Sequence, residues 1–326
     1  MKTFKIIGVC LLTILIILSG VIVWGSFFML DVSLGDLSGK DPDWRRNDVK
    51  EQHPDTYQWA DSLMRAQVMR DTMMTTHDGR RLHAWYAAAE DSTDTTVVLL
   101  HGYTCNAWTM MNIARMMRER IGMNIFLPEM HGHGQSDGDK VQMGWKDAHD
   151  VLEWMPIVTH LFGDSARSRI VIQGVSMGAA TAMNISGMEH SPQIVGFIED
   201  CGYSSVWEEL SGELKKQYGL GEFPMMYTSS LLCRLKYGWS FGEASSLEMV
   251  RRCKKPMLFI HGSDDDFVPT QMVYALYEAK PQPKSLWIAE GSGHAASFTD
   301  HPEEYERQVR EFNSQLTIHN RLKIEK

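Results

Sequence analysis

The chain has 326 residues, 44% of them hydrophobic and 22% charged, with a formal net charge of −9. That length and apolar content suffice for one large α/β domain carrying an insertion. The acidic balance, with no basic stripe, excludes an extended nucleic-acid footprint, because neutralising phosphates requires clustered Lys and Arg.

In chain order the first feature is a run of 25 residues without a charged side chain, Ile6 to Leu30, preceded by Lys2 and Lys5 and closed by Asp31. A cleavable signal has an apolar region of only about 7–15 residues, whereas this run is long enough to cross roughly 30 Å of hydrocarbon. The expectation is a retained signal anchor at residues 6–30. The two lysines place residues 1–5 in the cytoplasm and residues 31 onward in the periplasm or outside the cell. A lipoprotein site at Cys10 is poor, since Val9 stands where a small residue is needed. Residues 31–67, with Gly35, Gly39, Pro42 and Pro54, read as a juxtamembrane linker ending in a short helix over Tyr57–Met64.

Residues 68–326 read as one large domain. Two antiparallel strands, Val68–Thr75 and Leu82–Ala87, are joined by the turn residues His77-Asp78-Gly79. Strands at Thr96–Leu100, Asn124–Pro128, Arg169–Gln173, Ile194–Glu199, Pro256–Ile260 and Leu286–Ala289 then alternate with helical stretches near Ala107–Glu119, Trp145–Leu161, Ser176–Met188, Thr270–Ala279 and Pro302–Leu316. Such alternation demands a mostly parallel sheet covered on both faces. The interval of about residues 203–254 is too long for one crossover helix and reads as a helical cap inserted over one edge of the sheet. Its aromatics, Trp207, Phe223, Tyr227, Trp239 and Phe241 among them, either line a substrate pocket or hold the cap together.

The chemistry falls just past strand ends. Gly174-Val175-Ser176-Met177-Gly178 follows a strand run and precedes a helix, the setting of a nucleophile elbow. The motif alone is weak, with on the order of 0.1 chance matches expected in a chain this long. A second match, Gly238-Trp239-Ser240-Phe241-Gly242, lacks the strand and puts bulky side chains where an elbow needs small ones, so it reads as chance. A serine hydroxyl needs a base oriented by a carboxylate, and donors for the oxyanion. The chain supplies acids in His261-Gly262-Ser263-Asp264-Asp265-Asp266 and a base in Gly291-Ser292-Gly293-His294, in the order Ser, Asp, His. Asp200, closing an earlier strand, competes as the acid. His301 is a rival base but precedes Pro302 at the start of a final helix. The turn His101-Gly102-Tyr103 suggests the amides of Tyr103 and Met177 as the oxyanion donors. The five cysteines match no zinc spacing and read as small buried hydrophobes, with Cys105 and Cys201 near the pocket.

With Gly132-His133-Gly134-Gln135-Ser136 added, these motifs together resemble the α/β-hydrolase superfamily over roughly residues 68–316. Within it the chain is most similar to bacterial membrane-anchored hydrolases of the esterase and serine aminopeptidase types. The resemblance implies a Ser-His-Asp mechanism without a cofactor or metal, with the nucleophile on Ser176, the acid on Asp265 and the base on His294. Glu129 departs from the Asp many relatives carry, at a position that is usually structural. The reading is therefore a membrane-anchored serine hydrolase acting on a small-molecule ester through an acyl-enzyme. The alternatives are an aminopeptidase that holds the substrate amine on Glu208, Glu209, Glu213, Glu222 or Glu243, and an inactive tethered scaffold. Ser at the elbow argues against dehalogenase and epoxide-hydrolase chemistry, which use Asp there. A metal site at His101, His131, His133 and Glu129 is disfavoured because the fold already accounts for those turns.

Overall fold

The computed structural model describes residues 2–35, 41, 43–163 and 166–324. Gly39 and Pro42 of the expected linker lie outside them. The elements in order are α1 (Lys2–Leu34), α2 (Trp44–Gln52), α3 (Pro54–Arg65), β1 (Met69–Thr75), β2 (Arg81–Ala87), β3 (Thr95–Leu100), α4 (Met111–Met116), β4 (Asn124–Pro128), α5 (Asp147–Leu161), β5 (Arg169–Val175) and α6 (Met177–Gly187). There follow β6 (Ile194–Asp200), α7 (Val206–Tyr218), α8 (Met225–Tyr237), α9 (Ser246–Arg252), β7 (Met257–Gly262), α10 (Gln271–Ala279), β8 (Lys284–Ala289), α11 (Ser297–Asp300) and α12 (Pro302–Ile324). The chain forms two compact units, residues 1–36 with 205–244, and residues 37–204 with 245–326.

The larger unit is built on an eight-stranded sheet of order β1-β2-β4-β3-β5-β6-β7-β8. Only β2 runs antiparallel to its neighbours, β1 and β4, and every pair from β4 to β8 is parallel. Every residue of β4, β6 and β7 is buried, as expected of strands covered on both faces, which is why their sequences are continuous apolar runs and not alternating ones. This is the expected α/β-hydrolase fold, a mostly parallel sheet flanked by helices. Two local departures are informative. The expected helix Ala107–Glu119 is divided into a 3-10 turn (Ala107–Met110), α4 and a π-turn (Met117–Ile121). The segment expected to be a linker contains α2, of which only Val49 is buried.

In the smaller unit, α1 is long and apolar enough to cross a membrane. α7 and α8 form an insertion between β6 and β7 whose ends meet where the Val206 amide donates to the Ala244 carbonyl at 2.9 Å. Its aromatics pack on one another: Tyr227 meets Trp207 and Phe223 edge-on at 5.0 and 6.0 Å, and the buried rings of Trp239 and Phe241 lie 5.9 Å apart. Of the two roles weighed for them, these contacts are those of holding the insertion together.

Candidate active site

Ser176 stands between β5 and α6 at φ 57°, ψ −118°, in the left-handed half of φ space that a non-glycine residue enters only under constraint. The constraint is the close crossing of strand, helix and sheet. A Cβ on Gly174 would lie 2.0 Å from the Gly178 carbonyl oxygen, and one on Gly178 would lie 2.0 Å from that of Leu100. Both positions must be glycine, and the serine between them is turned outward from the strand end. The other Gly-x-Ser-x-Gly match has no such geometry: Ser240 follows α8 in a turn and its hydroxyl donates to Glu243 at 2.9 Å.

Three residues far apart in the sequence meet here. Ser176 Oγ is 2.9 Å from His294 Nε2, and His294 Nδ1 is 2.8 Å from Asp265 Oδ2. A carboxylate on Nδ1 fixes the tautomer with its proton on that nitrogen, leaving Nε2 to accept from the serine hydroxyl. Asp265 is buried at the turn after β7, where its Oδ1 accepts from the Phe267 and Val268 amides at 3.0 and 2.9 Å. His261 Nε2 lies 3.3 Å from Asp265 Oδ2 and donates to the Val268 carbonyl at 2.9 Å. Burial alone would raise the pKa of Asp265. The hydrogen bonds from His261 and His294, with the His294 charge and the Val268 amide, overcome it and hold the carboxyl well below the usual range.

The competing acids are placed otherwise. Asp264 and Asp266 are exposed, and Asp264 accepts from the Ser263 hydroxyl. Asp200 is buried at the end of β6 and accepts from the Ser297 hydroxyl at 3.2 Å; burial pushes it up to about 6. His301 is turned to the Glu290 carbonyl at 2.9 Å.

Gly102 and Tyr103, just beyond β3, line the same cleft as Ser176, and a Cβ on Gly102 would sit 3.5 Å from the Ser176 Cβ. Met177 opens α6, so its amide is among the first-turn donors that have no acceptor within the helix. The cleft has a volume of about 590 Å³, within the range of small-molecule sites, and all of its lining comes from the larger unit. Apolar walls from Val49, Trp108, Ile113, Phe267 and Phe298 face Ser176 and His294. Cys105 also lines it, whereas Cys201 is buried with its thiol pushed well up, chiefly by burial.

Two features escaped the sequence reading. One is α2, whose Arg45, Asp48 and Val49 line the cleft; Arg45 donates to the Thr104 carbonyl at 3.2 Å and to Asp48 at 3.0 Å, tying α2 to the turn that carries Tyr103. The other is Glu199, buried on β6, accepting from the Gly202 amide at 3.0 Å and pushed up to about 8 by burial against the opposing pull of His261.

The histidines weighed as metal ligands are engaged locally. His101, whose pKa burial lowers, donates to the Gly102 carbonyl at 2.9 Å and accepts from the Met130 amide at 3.0 Å, and His133 donates to the His131 carbonyl at 2.8 Å. Glu129 accepts from the Gln135 amide at 2.7 Å and lies 2.9 Å from His83 Nδ1, so it braces the glycine-rich loop from below.

Residues 91–216 match the serine aminopeptidase S33 family, a span that contains Ser176 but neither Asp265 nor His294. The Bacillus subtilis protein YqkD is 31% identical over 227 residues, covering 70% of this chain and 73% of its own. The chain belongs to the α/β-hydrolase superfamily. Among solved structures, an esterase of Pyrococcus furiosus superposes on this hydrolase with a TM-score of 0.61 at 24% identity, over 76% of this chain and 91% of that one. The Saccharomyces cerevisiae membrane protein YNL320W is 26% identical over 212 residues, 64% of this chain and 66% of its own.

Proposed function

We propose that this hydrolase cleaves carboxylic esters through an acyl-enzyme, with Ser176 as nucleophile, His294 as general base and then acid, and Asp265 as the group that orients it. The observation that carries the reading is the unbroken relay from Asp265 through His294 to Ser176, opening on an apolar-walled cleft. Ser176 Oγ attacks the ester carbonyl carbon while its proton passes to His294 Nε2. The tetrahedral oxyanion is held by the amides of Tyr103 and Met177. Collapse expels the alkoxide, which takes the proton from Nε2, and a water activated by the same nitrogen releases the acid. Asp265, ionised throughout, stabilises the imidazolium.

The ester reading is favoured over the aminopeptidase by where the carboxylates stand. Glu222 accepts from Trp207 and Ser211, Glu213 from Gln217 and Glu243 from Ser240, all within the insertion. The carboxylates that line the cleft are Asp48, paired with Arg45, and Asp200, buried against Ser297. Both carboxylates of the cleft lining are thus already engaged, which supports the ester reading. Nitrophenyl esters of increasing acyl length, run against aminoacyl anilides, test this; ester turnover that exceeds anilide turnover is expected, and preferred anilide hydrolysis overturns it.

We further propose that α1 anchors the chain as a single span, residues 6–30 in the bilayer, with the short lysine-bearing tail in the cytoplasm and the rest in the periplasm or outside. Protease added after permeabilising only the outer layer should digest the catalytic unit, and protection there reverses the orientation.

A further inference from the structure

The α1 helix is longer than a membrane requires. Its candidate span, Phe4–Leu34, has 31 residues, with Lys5 near one end and Asp31 near the other. At about 1.5 Å per residue that is roughly 46 Å, against a hydrocarbon core of about 30 Å. Some twenty residues from Phe4 reach the neighbourhood of Trp24, so the last three turns begin at the level of the far headgroups. Trp24 and Phe28 stack there, 5.8 Å apart and exposed, as aromatic side chains do at a membrane boundary.

At this level α1 is joined by α8. A Cβ on Gly25 would meet the Met225 Cε at 2.9 Å, so the small residue admits the insertion's helix closely. The hydroxyls of Ser26 and Thr228 bond to one another, and the buried Ser229 hydroxyl donates to the Ser26 carbonyl at 3.4 Å. Ser26, Met29 and Ser229 are buried in this seam.

The opposite face of α8 is apolar and open. Tyr227, Leu231 and Leu235 recur every four residues and are 55%, 57% and 75% exposed, and Phe223, just before the helix, is 81% exposed. Such spacing forms one stripe along a helix. Arg234, bordering the stripe, and Lys236 are exposed. A soluble surface does not ordinarily gather four large apolar side chains in a row. An amphipathic helix with basic residues beside its apolar face is the form that lies flat in a headgroup layer.

Resting on the reading of α1 as a span, we infer that the α8 stripe is a lipid-docking surface, lying in the headgroup and acyl boundary beside the point where α1 leaves the bilayer. The insertion is then held at the membrane by two contacts, a span and an interfacial helix. The apolar stripe buries in the acyl boundary, and Arg234 meets anionic headgroups.

Site-directed fluorescence on the full chain tests this. An environment-sensitive label is attached at Leu231→Cys, Leu235→Cys or, within the span, Ile14→Cys, in a Cys10→Ser, Cys105→Ala background whose unlabelled baseline is subtracted. The protein is reconstituted in phosphatidylcholine vesicles containing some phosphatidylglycerol, with and without lipids carrying a quencher near the headgroup end of the acyl chain, for the α8 positions, or near its terminal methyl, for Ile14→Cys at mid-membrane. At the depth of roughly 5–10 Å reached by interfacial helices, quencher lipid should remove about half of the signal at Leu231→Cys and Leu235→Cys. Quenching at Ile14→Cys without quenching at either α8 position overturns the docking surface and leaves the span standing. An apolar emission at the α8 positions that the lipid quencher does not touch marks a protein partner on the stripe, and overturns it as well. No quenching at Ile14→Cys overturns the span, and the docking surface with it.

Discussion

Two carboxylates at neighbouring strand ends, Asp265 after β7 and Asp200 at the end of β6, are both buried beside the Ser176 cleft, yet their protons are held oppositely. Asp265 receives two backbone amides and two imidazoles and is driven well below the usual range. Asp200, bonded chiefly to the hydroxyls of Ser297 and Tyr305, is left with burial dominant and rises to about 6. Depth of burial therefore does not decide which carboxyl stays ionised. The supply of donors decides it, because an ion in a low-dielectric site survives only where hydrogen bonds replace water.

The reference for testing that contrast is Ser176→Ala, which should lower kcat by about six powers of ten and abolish labelling by a serine-directed phosphonate, while Ser240→Ala keeps both. Equal loss from the two would break the reading at its root. Next in size, Asp265→Asn should reduce kcat by roughly four powers of ten with KM little changed, through loss of the tautomer that presents Nε2 to the serine. Asp200→Asn should cost less than about ten-fold. If Asp200→Asn proved the more damaging in steady-state kinetics, the contrast between the two acids would be inverted.

His261 sharpens the comparison because it touches Asp265 and not the serine. We expect His261→Gln to lower kcat by about ten-fold, the scale of one hydrogen bond to a charged group. As a positioning residue it should also shift the acidic limb of the pH–rate profile upward, a change that simple loosening of the fold would not produce.

The smallest effect is on stability. Glu199 is raised from the usual carboxylate range to about 8. The folded chain therefore keeps a proton that the unfolded chain releases. The associated stability is complete at low pH and declines as pH rises from about 4 toward 8, at about 1.4 kcal/mol per pKa unit separating the two states. Glu199→Gln removes that slope. Thermal melts between pH 5 and pH 8 should show Tm falling more in the parent than in the variant, and parallel curves would place Glu199 in the ordinary ionised state.

What could be read from the sequence followed from short-range necessity. The elbow was legible because the crossing at Ser176 forces glycine at 174 and 178, and a strand run and a helix flank it visibly. The buried parallel strands were legible as apolar runs. The choice among Asp264, Asp265 and Asp266 was not available from spacing alone and leaned on family resemblance, since adjacent carboxyls differ only in which amides they meet. Helix α2 was missed because a helix with Val49 as its sole buried residue has no apolar periodicity to detect. The link among Glu199, His261 and Asp265 was invisible because it depends on the pairing of β6 with β7, which sets Glu199 opposite Phe259 across nearly sixty residues of chain.

The strained turn at Ser176 bears on more than presentation. With φ and ψ fixed by the crossing of strand and helix, the side chain retains a single carbon–carbon torsion and the spin of its hydroxyl. A flexible nucleophile would have to be immobilised anew for each substrate. In the proposed reaction that loss of freedom has already occurred during folding, so the serine has only these two rotations left to adjust, and its own share of the entropic barrier belongs to the chain's history and not to the reaction.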